Sequence, residues 1–127
     1  MEIIDGLLYT EDHEWIKAEG SKAYIGITDH AQQHLGEVVY VELPEVGTEL
    51  EVGDILCVVE SIKAASDVYT AVAGTVAEVN EALVDHPEKI NGAPYENWLA
   101  VLDVTDASSL EGLMDAAAYR KFCEGLE

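Results

Sequence analysis

The chain has 127 residues, 49% of them hydrophobic, with 6 Lys and Arg set against 26 Asp and Glu for a formal net charge of -20. That length suits one hydrophobic core, so the expectation is a single compact, acidic domain over residues 1–127. The few cations form no stripe that could displace counterions from a phosphate backbone or meet an anionic lipid surface, which argues against nucleic acid and membrane as partners, and no run of about 20 apolar residues offers a span.

Short β-branched and aromatic runs separated by Gly, Pro, Asn and Asp fill the first hundred positions, so the fold class expected is mainly β. Trp15–Ala18 and Ala23–Ile27 flank Glu19-Gly20-Ser21-Lys22 as two strands of a hairpin. Thr28 or Asp29 caps a short helix to Leu35, and Gly36 can take the left-handed stop. Val38–Leu43 is a strand ended by Pro44. Gly47–Leu56 and Gly74–Leu83 then align without a gap, as in a sandwich of two similar halves, with chance likeness between acidic Val-rich strands as the alternative. Between them Ile55–Val59 and Val68–Val72 read as strands joined by Glu60–Asp67, which puts Lys63 at a hairpin tip. Asp85-His86-Pro87 and Asn91-Gly92-Ala93-Pro94 are turn signals, and Trp98–Leu102 is the last strand. Ser108–Glu111 has capping-box spacing, Asp115 can cap a second helix, and Tyr119, Phe122 and Cys123 form its apolar stripe.

Few residues offer chemistry of their own. His30 and His34 stand one helical turn apart but have Ala31 where a zinc protease needs Glu, so they read as a solvated helix face and no metal is expected. His13 has no Ser or Cys nucleophile in a recognisable context, so no catalytic residues are assigned. Cys57 and Cys123 lie outside any metal or redox spacing and read as partly buried, reduced small hydrophobes rather than a disulfide. The start, Met1–Asp5, has neither a secretion signal nor an Arg-rich transit pattern; the expectation is cytoplasmic, or the mitochondrial matrix had a presequence been removed. Lys63 remains. It is either a surface lysine paired with Glu60 or Asp67, or a lysine presented for covalent modification so that an attached cofactor can swing between partners.

Glu60-Ser61-Ile62-Lys63-Ala64-Ala65-Ser66-Asp67 closely resembles the lipoylation motif of the H proteins of the glycine cleavage system. The likeness continues through Tyr9, His13-Glu14-Trp15, Gly26–Asp29, Leu35-Gly36, Val41–Pro44, Gly74, Glu78–Asn80, Pro94-Tyr95 and Trp98-Leu99, essentially the whole chain. Biotin carriers usually have Met on both sides of the lysine, where Ile62 and Ala64 stand here. One departure is a loop one residue short, lacking the Gly that the family generally has between Tyr95 and Trp98. The resemblance implies a flattened antiparallel β sandwich of the lipoyl/biotinyl carrier type, a barrel-sandwich hybrid, with short helices near residues 28–35 and at the C-terminus. It implies lipoate in amide linkage on Lys63, with Glu60, Ser61, Ile62 and Ala64 as the attachment motif, in a non-catalytic shuttle. The implied partners are a lipoate-attaching enzyme, a pyridoxal-phosphate glycine decarboxylase that loads an aminomethyl group, a tetrahydrofolate-dependent aminomethyltransferase and a dihydrolipoyl dehydrogenase. Glu14 and Asp67 are the carboxylates expected to meet the loaded arm. The alternatives are an H-like protein that hands lipoyl groups to other acceptors, and an unmodified acidic interaction domain.

Overall fold

The computed structural model describes residues 2–126. Strands β1 (Leu8–Tyr9), β2 (Glu14–Glu19) and β3 (Lys22–Ile27) lead into helix α1 (Asp29–Leu35) and strand β4 (Val38–Glu42). Then come β5 (Glu49–Leu50), β6 (Ile55–Ser61), β7 (Ala65–Tyr69) and β8 (Gly74–Val79). Two one-turn helices, α2 (Ala82–Asp85) and α3 (Lys89–Gly92), precede β9 (Ala100–Val104), a 3-10 turn at Ala107–Leu110 and helix α4 (Ala116–Glu124). The strands pair antiparallel in a six-stranded sheet of order β1-β2-β3-β9-β8-β5 and a three-stranded sheet of order β4-β6-β7. This is the mainly β sandwich with short helices that the sequence predicts.

The core lies between the sheets. Ala23, Ile25 and Ile27 alternate inward from β3, Val76 from β8, and Val59 with Val38 and Val41 from the smaller sheet. A second cluster forms where α4 covers β1 and β2: Tyr119 and Cys123 pack with Ala116, Tyr9 and Trp15, and Phe122 lies partly buried beside them. The apolar stripe of α4 therefore folds back on the larger sheet as its spacing suggests. Asp115 caps this helix, its Oδ1 accepting the Ala118 N–H at 2.8 Å. Thr28 caps α1 by accepting the Ala31 N–H at 3.2 Å, and Gly36 ends it at φ 80°. Cys57 and Cys123 are both free and buried.

Several boundaries differ from the sequence reading. The lysine hairpin is longer and tighter: β7 starts at Ala65, because the backbone keeps pairing to Glu60↔Ala65 and leaves only residues 62–64 for the turn. The two Gly-Thr repeats do meet, Gly47 N–H donating to the Val76 carbonyl and Val76 N–H to that of Thr48. Their pairing and that of β6 with β7 are both centred on the Ile62–Lys63 turn. The likeness stops there: Ile55-Leu56 enters β6, whereas Ala82-Leu83 turns into α2 so that Leu83 can be fully buried. The last strand begins at Ala100. The cap of the 3-10 turn is Asp106, which accepts from Ser108 N and Oγ, rather than Ser108 itself. The short loop before β9 is closed by side chains: Trp15 Nε1 donates to the Pro94 carbonyl at 3.1 Å, and Asn97 Nδ2 to that of Ala93 at 2.9 Å.

Candidate functional site

Ser61 builds the hairpin tip. Its Oγ accepts the N–H groups of Lys63 at 3.1 Å and Ala64 at 3.2 Å, while its own N–H donates to the Ala64 carbonyl at 2.8 Å. Ile62 N–H donates to the Glu37 carbonyl, tying the turn to the start of β4. The N–H groups of Ile62, Lys63 and Ala64 thus all have acceptors, which holds the backbone under Lys63. Ile62 is 69% exposed, Ala64 is exposed, and Glu60 lies half-buried opposite Tyr40 and Ala65. Neither Glu60 nor Asp67 pairs with Lys63; its Nζ donates to the backbone carbonyl of His34 at 2.6 Å, at the end of α1.

Beside that contact opens a cleft of about 420 Å³ between α1, the β1–β2 connection and β7. Ile27, Leu35 and Val68 give it apolar walls, and Glu14 and Asp67 both line it, so the structure brings together the two carboxylates singled out from the sequence. They differ in environment. Asp67 is exposed on β7. Glu14 is 3% exposed; its Oε1 accepts from the Thr10 hydroxyl at 3.0 Å and its Oε2 from the Tyr69 N–H at 2.8 Å. Burial outweighs these two bonds and pushes the Glu14 carboxyl up to about 7. An acid so placed can hold a cationic amine, or exchange a proton with one, near neutral pH.

The cleft also holds three histidines. His34 is exposed, as a solvated helix face requires, and His30 is half-buried; both line the cleft, His30 stacks on His13 with centroids 4.0 Å apart, and His34 lies tilted against His30 at 4.3 Å. The sequence reading of a solvated face therefore holds for His34, while His30 is drawn toward the β1–β2 connection by its ring contact with His13. His13 Nδ1 lies 2.7 Å from the Tyr119 hydroxyl. Burial, with His30 and His34 beside it, lowers His13 to about 4, so it is neutral across the ordinary pH range.

A model of the glycine cleavage H-protein family matches residues 7–125. A glycine cleavage system H protein of Thermoanaerobacter pseudethanolicus (strain ATCC 33223 / 39E) is 60% identical over 124 residues, covering 98% of each chain. One from Alkaliphilus oremlandii (strain OhILAs) is 54% identical over 124 residues, again 98% of each. Among solved structures, the crystal structure of a glycine cleavage system H protein from Mycobacterium marinum superposes with a TM-score of 0.84 at 35% identity, covering 98% of both chains. With a family match over nearly its whole length and relatives at this identity, the chain belongs to the glycine cleavage H-protein family.

Proposed function

We propose that this chain is a lipoyl-carrying shuttle of glycine cleavage, a single domain with no turnover of its own, and that Lys63 is the attachment point. The observation that carries the reading is the juxtaposition of an exposed lysine on a stapled turn with an acid-bearing, apolar-walled cleft. The residues suit the group. Ser61 holds the turn, Glu60, Ile62 and Ala64 present the lysine to a lipoate-attaching enzyme, and the walls of Ile27, Leu35 and Val68 suit an aliphatic arm. When bound, lipoate supplies a disulfide that can be reduced and can carry an aminomethyl unit.

The chain's own residues then do three things. The rigid hairpin presents the arm in turn to the pyridoxal-phosphate glycine decarboxylase, the aminomethyltransferase and the dihydrolipoyl dehydrogenase without the fold moving. Glu14 would hold the amine of an aminomethyl group through a charge-assisted hydrogen bond, with Asp67, exposed in the same cleft, as a second acceptor. The apolar walls exclude the water that would hydrolyse an aminomethyl thiol.

The test is the intact mass of the chain produced in lipoylation-competent cells, with peptide mapping. The expected result is one lipoyl increment on the peptide containing Lys63, lost in Lys63→Arg with the fold retained. Lipoate on Lys17, Lys22 or Lys89, or a chain that stays unmodified, would overturn the reading. For the cleft, Glu14→Ala should leave lipoylation intact and shorten the lifetime of the loaded carrier in the absence of the transferase; equal decay in mutant and parent would remove Glu14 from this role.

A further inference from the structure

Helix α4 touches a wall of the cleft from behind, through the hydroxyl of Tyr119 on His13. The Tyr119 ring is fully buried and stacked on Tyr9, with centroids 4.4 Å apart and planes 3° apart. Its oxygen lies 2.8 Å from Thr28 Oγ1 and 2.7 Å from His13 Nδ1. Counting protons gives the direction of this relay. Thr28 Oγ1 already accepts the Ala31 N–H, and its own proton has Tyr119 Oη as its neighbour. With Thr28 donating to Tyr119, the Tyr119 proton goes to His13 Nδ1, a stronger acceptor than the Cys123 sulfur that also borders the hydroxyl. The opposite order would leave the hydroxyl proton of Thr28, a residue with no exposed surface, without an acceptor among the described residues. The proton of His13 is therefore on Nε2.

The backbone of His13 is equally constrained. Its φ is 63°, in the left-handed region that non-glycine residues seldom occupy, and it is held there by His13 N–H donating to the Thr10 carbonyl and by its own carbonyl accepting the Thr28 N–H. The ring so placed begins the stack His13–His30–His34, whose far end is the residue that holds Lys63 Nζ.

We propose that Tyr119 is a positioning residue for the cleft: its hydroxyl locks His13 as the neutral Nε2–H tautomer and so keeps that imidazole uncharged and in register for a cationic arm. This rests on the reading of the cleft as the shelter of the loaded arm. The groups that face His13 are Asp12 beside it, Glu14 on β2, His30 and His34 on α1, Asp67 across the cleft on β7, and Tyr119 on α4. Glu14 and Asp67 attract an ammonium; a protonated His13 between them would repel it. Protonation at Nδ1 must displace the Tyr119 proton, and burial beside two further imidazoles opposes it as well.

The test reads the tautomer on the unmodified chain by ¹⁵N NMR of the histidine rings, and the lifetime of the loaded carrier separately. Tyr119→Phe keeps the ring on Tyr9 and removes only the hydroxyl. The parent should show His13 protonated at Nε2 and silent from about pH 5 to 8, the interval in which an unperturbed imidazole titrates. In Tyr119→Phe the His13 tautomers should mix, its titration midpoint should rise by about one pH unit, and the loaded carrier should decay severalfold faster. Thr28→Val gives a second route, since it removes the donor to Tyr119 and lets that oxygen accept from His13 Nδ1–H instead of donating to it, and Thr28→Ser should restore the parent spectrum. An Nδ1–H tautomer in the parent, or a Tyr119→Phe spectrum identical to it, overturns the proposal. A parent carrier that protects its arm no better than free solution removes the shelter reading alone, and the spectrum of the unmodified chain still decides the lock.

Discussion

Replacing Glu14 with Gln isolates the energetic cost of keeping an acid in the cleft. Glu14 is the only buried carboxylate among the described residues, and its carboxyl rises from an ordinary 4.5 to about 7. Below pH 4.5 it is protonated in both folded and unfolded chains, and its contribution to stability is fully present. As pH rises past 4.5 the unfolded chain gives up the proton while the fold retains it, so stability falls until the folded group ionises near 7. The gap of about 2.5 pH units corresponds to roughly 3 kcal/mol at about 1.36 kcal/mol per unit. His13 acts in the opposite sense: ordinarily at 6.5 and here about 4, it makes stability rise between those values. Subtracting parent from mutant cancels that term. It also leaves as a constant offset whatever Gln loses, since Gln cannot accept from both the Thr10 hydroxyl and the Tyr69 N–H as the carboxylate does. Urea unfolding of both chains at several pH values should show the Glu14→Gln advantage growing by about 3 kcal/mol from pH 4.5 to 8. A difference that stays flat with pH would refute the claim that the buried carboxyl titrates near neutrality.

Gly26 lies against Trp15: a Cβ there would sit 2.5 Å from the indole Cε2, and the ring cannot retreat because it is buried and its Nε1 is bonded to Pro94. Gly26→Ala should therefore cost about 1–3 kcal/mol in urea unfolding, as overpacking does; unchanged stability would mean that the indole can shift. At a net charge of -20, association with the basic surfaces of enzymes that read the arm should slow as salt rises. Stopped-flow rates that do not change between about 0.02 and 0.5 M salt, where screening lengthens or shortens severalfold, would reduce that charge to an aid to solubility.

Elements set by local chemistry were readable from the sequence. Thr28, Gly36 and Asp115 cap their helices as their types suggest, and the alternation in Ala23–Ile27 located an inner strand. The lysine hairpin followed from motif and position, whereas Glu14 and Asp67 were singled out through the family resemblance and the structure places both at one cleft. Features that depend on distant chain segments were not readable. The stack of His13, His30 and His34 joins residues 17 positions apart, and no periodicity announces it; the signal available was the unusual number of imidazoles near one helix. Tyr119 read as core because its ring is core, while its hydroxyl serves another element 106 residues away. Strand ends slipped where ladder pairing outlasted the apolar run, as at Ala65–Asp67 and at Asp103-Val104. The one-turn helices α2 and α3 are too short for any period to register.

The hydrogen bond from Lys63 Nζ to the His34 carbonyl ties an ammonium to the negative end of α1, an arrangement worth about 0.3–1 kcal/mol, or roughly a two- to fivefold bias in occupancy. Acylation of that nitrogen erases the charge and leaves one N–H where the ammonium had three. The unmodified side chain is thus weakly moored, close enough to find and loose enough for an attaching enzyme to lift. If Lys63 is the attachment point proposed above, attachment would remove most of the mooring, and the side chain would be cast off by the same reaction that gives it something to carry.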